Sequence, residues 1–482
     1  MGAFSAISDP TDLDAVRAAI SDAERPEALV ALGLHTLVIE AGAAARAPEH
    51  VKELVGAEPG RARVALIVDR TEIRSGDIDL KVDVHARLAH DFDVVETVLG
   101  EPGHLHVDDE ALDAATAAVR GVDAVVSVGS GTISDIAKVA SARAGDVPLV
   151  IVQTAASVDG FTDNVSVVLR AGAKRTIDSR WPDVVLADTT VIATAPTVLN
   201  ASGFGELQSL FTAPADWWLA SRVGTDATFH TTPRDLLLEF AGDPSEWGVG
   251  LGRGEARPVE QLTRVLAIRG IGTGISGSTA CLSGVEHLVS HMLDMYAVAR
   301  GHEVGLHGAQ VGVASVIAAS AWDHLFAQAR SGRAIEPSHG DDEARVRDAF
   351  AACDPSGALG DECGRDYSAK RRAWEASGDP LELLADPDTL EAGLGAMRPD
   401  GGRIARALAV AGAPLTRDDL GSWITADIWR WAVANCLFMR NRVTVIDLLH
   451  AAGWWTDADV DAVLDRADAA VSAARAAAGV TA

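Results

Sequence analysis

Cysteine is scarce in this chain, and basic charge falls well short of acidic charge. The four cysteines, Cys281, Cys353, Cys363 and Cys436, include no CxxC pair. That excludes a disulfide-dense scaffold, and reduced, mostly buried thiols are expected. Lysine and arginine total 41 against 69 aspartates and glutamates, for a formal net charge of −28. Such a surface repels phosphate backbones and anionic membranes, so neither is expected as the main partner. No uninterrupted apolar run approaches the roughly 18 residues that suggest a membrane span; the alanine-rich stretch 469–482 is itself broken by Ser472 and Arg475. The opening MGAFSAISDPTDLDAV carries acids where a secretory signal carries bases. No fixed-period repeat appears. A soluble cytoplasmic protein is expected, and 482 residues allow two or three domains with substantial cores. An anionic substrate would need a nest of backbone N–H groups, a cation or a metal to overcome the overall repulsion.

What the chain does have is histidine concentrated in one place. Residues 283–312, SGVEHLVSHMLDMYAVARGHEVGLHGAQVG, hold His287, His291, His302 and His307, four of the fourteen. His287 and His291 stand four apart, so a helix projects both from one face, and His307 follows a break at Gly301 and Gly305. Two imidazoles on neighbouring helices suit zinc, nickel, copper or iron, with a carboxylate and one open position completing a catalytic site. Buried or surface histidines without a metal are the alternative.

Upstream, strands and helices alternate. TLVIEAG after His35, VALIVD at 64–69 and DVVETVL at 93–99 read as strands, and DDEALDAATAAVRG at 108–121 as a helix with acids in its first turn. DAVVSV at 123–128 then runs directly into GSGTISDIAKVAS at 129–141, which is strand, glycine turn, helix. Gly129 and Gly131 let the backbone approach a ligand, and Thr132 with the first helical N–H groups can accept a pyrophosphate. The third glycine of the full dinucleotide fingerprint is Ser134 here, and a plain turn is the competing reading. PLVIVQT at 148–154 is a further strand leading into AASVDGF, where Thr154 and Ser157 can contact a nucleotide and Asp159 can accept from substrate hydroxyls or simply make an Asp-Gly turn. Asp69 ends its strand like the acid that holds an adenosine ribose. Lys174, Arg175 and Arg180 form a basic cluster that suits a phosphate or a solvated hairpin.

After Pro196 the strand signal fades. Residues 196–222 read as helices broken near Gly203 and Pro214, with Glu206 just after the glycine. Glu206 is either the carboxylate the metal needs or a first-turn acid favoured by the helix dipole. The segment 331–348 reads as a polar loop. Trp423, Trp429 and Trp431 read as core rather than a stacking platform, since no dense basic residues interleave them. The expected organisation is a helical extension at 1–31, a Rossmann-like α/β domain at 32–194 and an all-helical metal and substrate domain at 195–482.

Taken together, GSGTISD at Gly129, TAASVDGF at Thr154, GFGE at Gly203 with FTAPADWWLA after it, SGVEHLVSH at Ser283 and LHGAQVGV at Leu306 resemble the sn-glycerol-1-phosphate dehydrogenases. That family lies in the superfamily of iron-type alcohol dehydrogenases, glycerol dehydrogenase and dehydroquinate synthase. DPSGALGDEC and RNRVTVIDL resemble its bacterial branch. The resemblance covers most of the chain and implies the dehydroquinate synthase-like fold. It implies NAD or NADP on Gly129, Ser130, Gly131, Thr132, Ile133, Thr154, Ala155, Ala156 and Ser157, with Asp69 near the ribose and Asp163 as another nucleotide contact. It implies Glu206, His287 and His307 on one zinc, nickel or iron ion, with Asp159, Glu206 and His291 facing substrate. Glu206 stands where the family usually has aspartate; dehydroquinate synthase uses glutamate with two histidines. The implied reaction is reversible reduction of dihydroxyacetone phosphate, a phosphorylated triose, in a homo-oligomer of two or more chains. The alternatives are a dehydrogenase of another polyol or phosphosugar, a dehydroquinate synthase-like cyclase, and a catalytically silent NAD-binding protein.

Overall fold

Six apolar runs in the first half of the chain become strands: β1 (Thr36–Glu40), β2 (Arg63–Asp69), β3 (Asp93–Leu99), β4 (Ala124–Gly129), β5 (Leu149–Gln153) and β6 (Val184–Asp188). The structure is a computed structural model that describes residues 4, 7–56, 62–101, 105–170, 173–337, 342–351 and 353–479. The strands pair in the order β1-β6-β5-β4-β2-β3, every pair parallel. β4 and β5 are buried along their whole lengths, as strands covered by helices on both faces must be. One face buries Val64, Leu66, Val68, Val126, Val128, Val150 and Val152 against Ala47 and Val51. The alternating residues Ala65, Ile67, Val125 and Ile151 are buried as well. Each such valine or isoleucine contributes about 1.5–3 kcal/mol of burial, enough in sum to make the sheet the rigid floor of its unit.

The chain reverses its march across the sheet between β3 and β4, because β2 pairs with β3 on one side and β4 on the other. Val68 lies opposite Val128, so Asp69 and Gly129 flank the carboxyl ends of β2 and β4 at this switch point. Open parallel sheets bind ligands at such a crevice.

The described residues divide into two compact units, 1–203 with 235–277, and 204–234 with 278–482. The sequence pattern groups residues 195–482 together, whereas the helix Ala256–Ser276 lies in the first unit, against β1 and the helix Thr189–Thr194. Its apolar pattern resembles that of any buried helix, and only tertiary contact reveals its side. A two-stranded antiparallel hairpin, Val165–Arg170 with Ala173–Asp178, stands apart from the main sheet.

Four helices carry the residues of interest: α1 (Gly131–Arg143), α2 (Thr197–Leu207), α3 (Val285–Arg300) and α4 (His307–Arg330). Two expectations need correction. α2 continues through Gly203 instead of breaking there. Residues 342–351 form a helix rather than the end of a loop, supported by the i,i+4 pair of Glu343 and Arg347 at 3.5 Å. The rest of that expected loop includes residues 338–341, which lie outside the described residues. Among the described residues no helix is long and apolar enough to cross a membrane.

Candidate metal centre and nucleotide-binding loop

In the second unit α3 and α4 are joined by the short segment 301–306, with Gly301 in the left-handed conformation at φ +70°. The end of α2 meets the start of α4 backbone to backbone. A Cβ on Gly205 would lie 2.2 Å from Gly308 O, so only glycine permits this approach. Its result is to bring Glu206, the next residue, beside His307, the first residue of α4.

Glu206 therefore sits in the last turn of its helix, not in a first turn after a glycine break. There the helix dipole opposes a carboxylate, so the first-turn explanation of this residue fails. Glu206 is only 2 % exposed. Its Oε1 is 3.2 Å from His287 Nε2, and its Oε2 is 3.7 Å from His307 Nε2. Ligand atoms of Glu206, His287 and His307 all lie within 4.8 Å of one another.

The opposite edges of the two rings explain what faces the carboxylate. His287 Nδ1 donates to Glu286 Oε1 at 3.0 Å, since a carboxylate only accepts. His307 Nδ1 lies 2.9 Å from Ser290 Oγ, whose own hydrogen goes to Gln310 Oε1 at 2.7 Å, so here too the ring donates. With the Nδ1 positions engaged, both Nε2 atoms face Glu206 and can offer lone pairs, making a set of three possible electron-pair donors. Such a set fits a divalent cation. Without one, a proton serves in its place: burial alone would lower the pKa of His287, but Glu206 and Glu286 outweigh burial and raise it.

His291 lies one turn beyond His287 on α3, its ring 5.3 Å from that of His307 and 6.4 Å from that of His287. His291, Asp294 and His307 make a second group with ligand atoms within 4.8 Å. His302 lies in the connecting segment and stacks on Trp423 at 5.1 Å and Tyr296 at 6.2 Å. Trp429 is core, as its pattern suggests, but half-buried Trp423 belongs to this stack.

Sequence reasoning missed the groups behind the histidines. Glu286 is fully buried, accepting also from Gly284 N at 2.6 Å and Thr212 Oγ1 at 2.8 Å. Asp216 accepts from Val285 N and Val445 N, each at 3.0 Å. Burial, with Glu286 nearby, pushes its carboxyl up to about 8. The only available signals were the adjacency of Glu286 to His287 and the placement of Asp216 just after Pro214.

In the first unit, Gly129 closes β4, Ser130 stands at the N-terminal boundary of α1 without a side-chain cap, and Gly131, Thr132 and Ile133 form its first turn. A Cβ on Gly131 would lie 2.7 Å from Val158 Cγ2. Thr154 N donates to Gly129 O at 3.2 Å, which ties the segment Thr154, Ala155, Ala156 and Ser157 to the glycine turn. Ala156 N is occupied by Asn200 Oδ1 at 3.1 Å. At the switch point, Asp69 accepts from Thr71 Oγ1 at 2.7 Å and pairs with Lys81. Neighbouring Arg70 donates to Gly100 O at 2.9 Å.

Other expected contacts are engaged elsewhere. Asp159 pairs with Arg269 on the helix Ala256–Ser276. Asp163 is buried, its Oδ1 2.6 Å from Lys138 Nζ; Lys138 also reaches Asp135 at 3.2 Å and Gly160 O at 2.7 Å. Burial pushes Asp163 up to about 7 despite Lys138, with Asp159 and Asp135 adding to the rise. In the basic cluster, Arg180 is committed to Asp183 at 2.6 Å, while Lys174 and Arg175 lie on the hairpin.

Residues 38–196 match the family model described as iron-containing alcohol dehydrogenase. Over that third of its length the chain is similar to the iron-containing alcohol dehydrogenases. Among curated relatives, it is 33 % identical over 211 residues to the NAD(P)+ glycerol-1-phosphate dehydrogenase of Geobacillus thermodenitrificans (strain NG80-2), covering 42 % of this chain and 50 % of that one. It is 36 % identical over 200 residues to the enzyme of the same name from Thermococcus sibiricus (strain DSM 12597 / MM 739), covering 42 % and 55 %. The chain thus spans about half the length of these curated relatives. In fold it resembles glycerol dehydrogenase from Schizosaccharomyces pombe, with a TM-score of 0.56 at 16 % identity and 92 % coverage of both chains. The expected α/β class with a parallel sheet holds.

Proposed function

We propose that the protein is a metal-dependent, NAD(P)-linked oxidoreductase that interconverts dihydroxyacetone phosphate and sn-glycerol 1-phosphate. The observation that carries the metal reading is the convergence of Glu206, His287 and His307 within 4.8 Å, with both Nδ1 atoms already engaged. Glutamate and two neutral imidazoles suit zinc, nickel or iron. The substrate is suggested by the two glycerol-1-phosphate dehydrogenases it resembles.

A divalent cation supplies Lewis acidity toward a carbonyl or alcohol oxygen, and a nicotinamide supplies or accepts hydride. The chain's own residues do the rest. The N–H groups of Gly131, Thr132 and Ile133 at the start of α1 would bind a pyrophosphate, and the glycines would let it approach. Asp69 would accept from a ribose hydroxyl, and Thr154 and Ser157 would contact the nucleotide. Asp159 orients substrate hydroxyls while Arg269 keeps its carboxylate in place. His291 would hydrogen-bond the substrate oxygen or relay its proton. Lys174 or Arg175 meets the phosphate.

The test is oxidation of NADH and NADPH with dihydroxyacetone phosphate in zinc- or nickel-loaded protein, followed at the nicotinamide absorbance. No oxidation of either by metal-replete protein refutes the substrate assignment. Glu206, which matches the dehydroquinate synthase ligand type, favours a cyclase as the second reading; a cyclase consumes no net NADH in the same assay.

A further inference from the structure

We propose that Glu286 is a positioning residue for the metal, acting through His287. The proposal rests on the metal reading above and concerns a side chain that need not touch ion, cofactor or substrate.

The geometry begins at the end of the helix. α3 starts at Val285, so Glu286 lies in its first turn, where a carboxylate is favoured by the dipole and can reach back to a free N–H. It does so at Gly284 N, 2.6 Å away. An ordinary first-turn acid would leave its remaining lone pairs to water. Glu286 is 0 % exposed, and it spends them on two side chains, Thr212 Oγ1 at 2.8 Å and His287 Nδ1 at 3.0 Å. Three donors on a wholly buried acceptor are what an ionised carboxylate requires. Thr212 lies 74 residues before Glu286 in the chain, so the carboxylate is fixed by two separate parts of the fold.

The consequence falls on the far side of the ring. A carboxylate on Nδ1–H fixes the imidazole as the tautomer with a free Nε2, fixes the ring plane and makes Nε2 more basic. That nitrogen is the atom 3.2 Å from Glu206 Oε1. His307 has a different support: its Nδ1 meets the neutral Ser290 hydroxyl, itself bonded to Gln310. One ligand is thus backed by an anion and the other by a neutral chain. Glu286 makes His287 a stronger donor than a neutral partner on its Nδ1 would.

The test uses the full chain, stripped of metal and titrated with zinc against a chromogenic chelator, and with cobalt for its visible ligand-field bands. Glu286→Gln keeps the size and one acceptor but removes the charge. It is expected to weaken zinc binding about 10- to 100-fold, to shift the cobalt bands, and to leave the circular dichroism of the metal-free chain unchanged. Zinc affinity within twofold of wild type (~2-fold, well under the expected loss), with unshifted cobalt bands, would overturn the proposal while leaving the metal site intact. A wild-type chain that binds no divalent ion overturns the metal reading and this proposal with it. Should Glu286→Gln fail to fold, Thr212→Val carries the test, because it leaves the charge and removes one anchor. It should cost about fivefold in zinc affinity, the worth of one hydrogen bond; no change there overturns the proposal.

Discussion

Gly205 and Gly312 are in backbone contact: a Cβ built on Gly312 would lie 2.7 Å from the Cα of Gly205. This contact sets where Glu206 stands relative to the first turn of α4. Gly205→Ala forces the helices apart or strains them, and is expected to destabilise the second unit by about 1–3 kcal/mol. Zinc binding should weaken in parallel, because Glu206 moves with its neighbour. Urea unfolding and zinc titration of the same preparation check both; an unchanged midpoint with unchanged affinity rules the relationship out as a constraint.

Removal of two ligands tests the centre directly. His287→Ala with His307→Ala should abolish the roughly one divalent ion per chain expected of a three-ligand site, measured by elemental analysis after dialysis. Glu206→Asp should retain an ion, since the donor type is kept. Full retention in the double variant would place the metal elsewhere.

Asp216 makes stability depend on pH. Its folded carboxyl keeps a proton up to about pH 8, whereas the unfolded one ionises near 3.8. Below the unfolded value both states are protonated and the contribution is complete. Between about pH 4 and 8 only the folded state holds the proton, so stability is lost as pH rises through about 8. Asp216→Asn removes this component; denaturation at several pH values in that window should show a shallower decline than in wild type. Parallel declines would assign the pH dependence to other groups.

Lys138 is the cation at the centre of a buried network. Lys138→Met leaves Asp163 and Asp135 without their partner and should cost about 3–5 kcal/mol. Chemical denaturation measures it, and a loss below about 1 kcal/mol, the range of exposed pairs, would mean the pair behaves as a surface one.

The nucleotide loop has its own variant. Gly131→Val adds atoms where a Cβ alone meets Val158 at 2.7 Å, so the turn must shift. NADH affinity, read by fluorescence titration, should fall about 10-fold or more, in line with the cost of misplacing a binding group by an ångström. Zinc affinity should not change.

Much of this was legible in the residues. A continuous apolar strand running into Gly129 and Gly131 has few structural solutions, so β4, the turn and α1 follow directly. Histidines four apart on a helix must share a face, which made His287 and His291 neighbours. Glu206 is recognisable as a candidate, but its place in the last turn of a helix is not, because glycine weakens helices and Gly203 reads as a break. Glu286 is hidden for a different reason: beside a helix start, a structural acid and a functional one have the same pattern. Lys138 depends on Asp163, 25 residues away, and no local periodicity encodes such a pair.

The two N–H groups held by Asp216 belong to residues made far apart in time. Val285 opens α3, but Val445 comes 229 positions after Asp216, and Arg442, just before it, reaches Thr279 Oγ1 at 2.8 Å. Because synthesis runs from the N-terminus, Glu206, His287 and His307 all emerge well before the segment that secures the start of α3. A nascent chain therefore carries Glu206, His287 and His307 before the segment that completes the clamp on the start of α3.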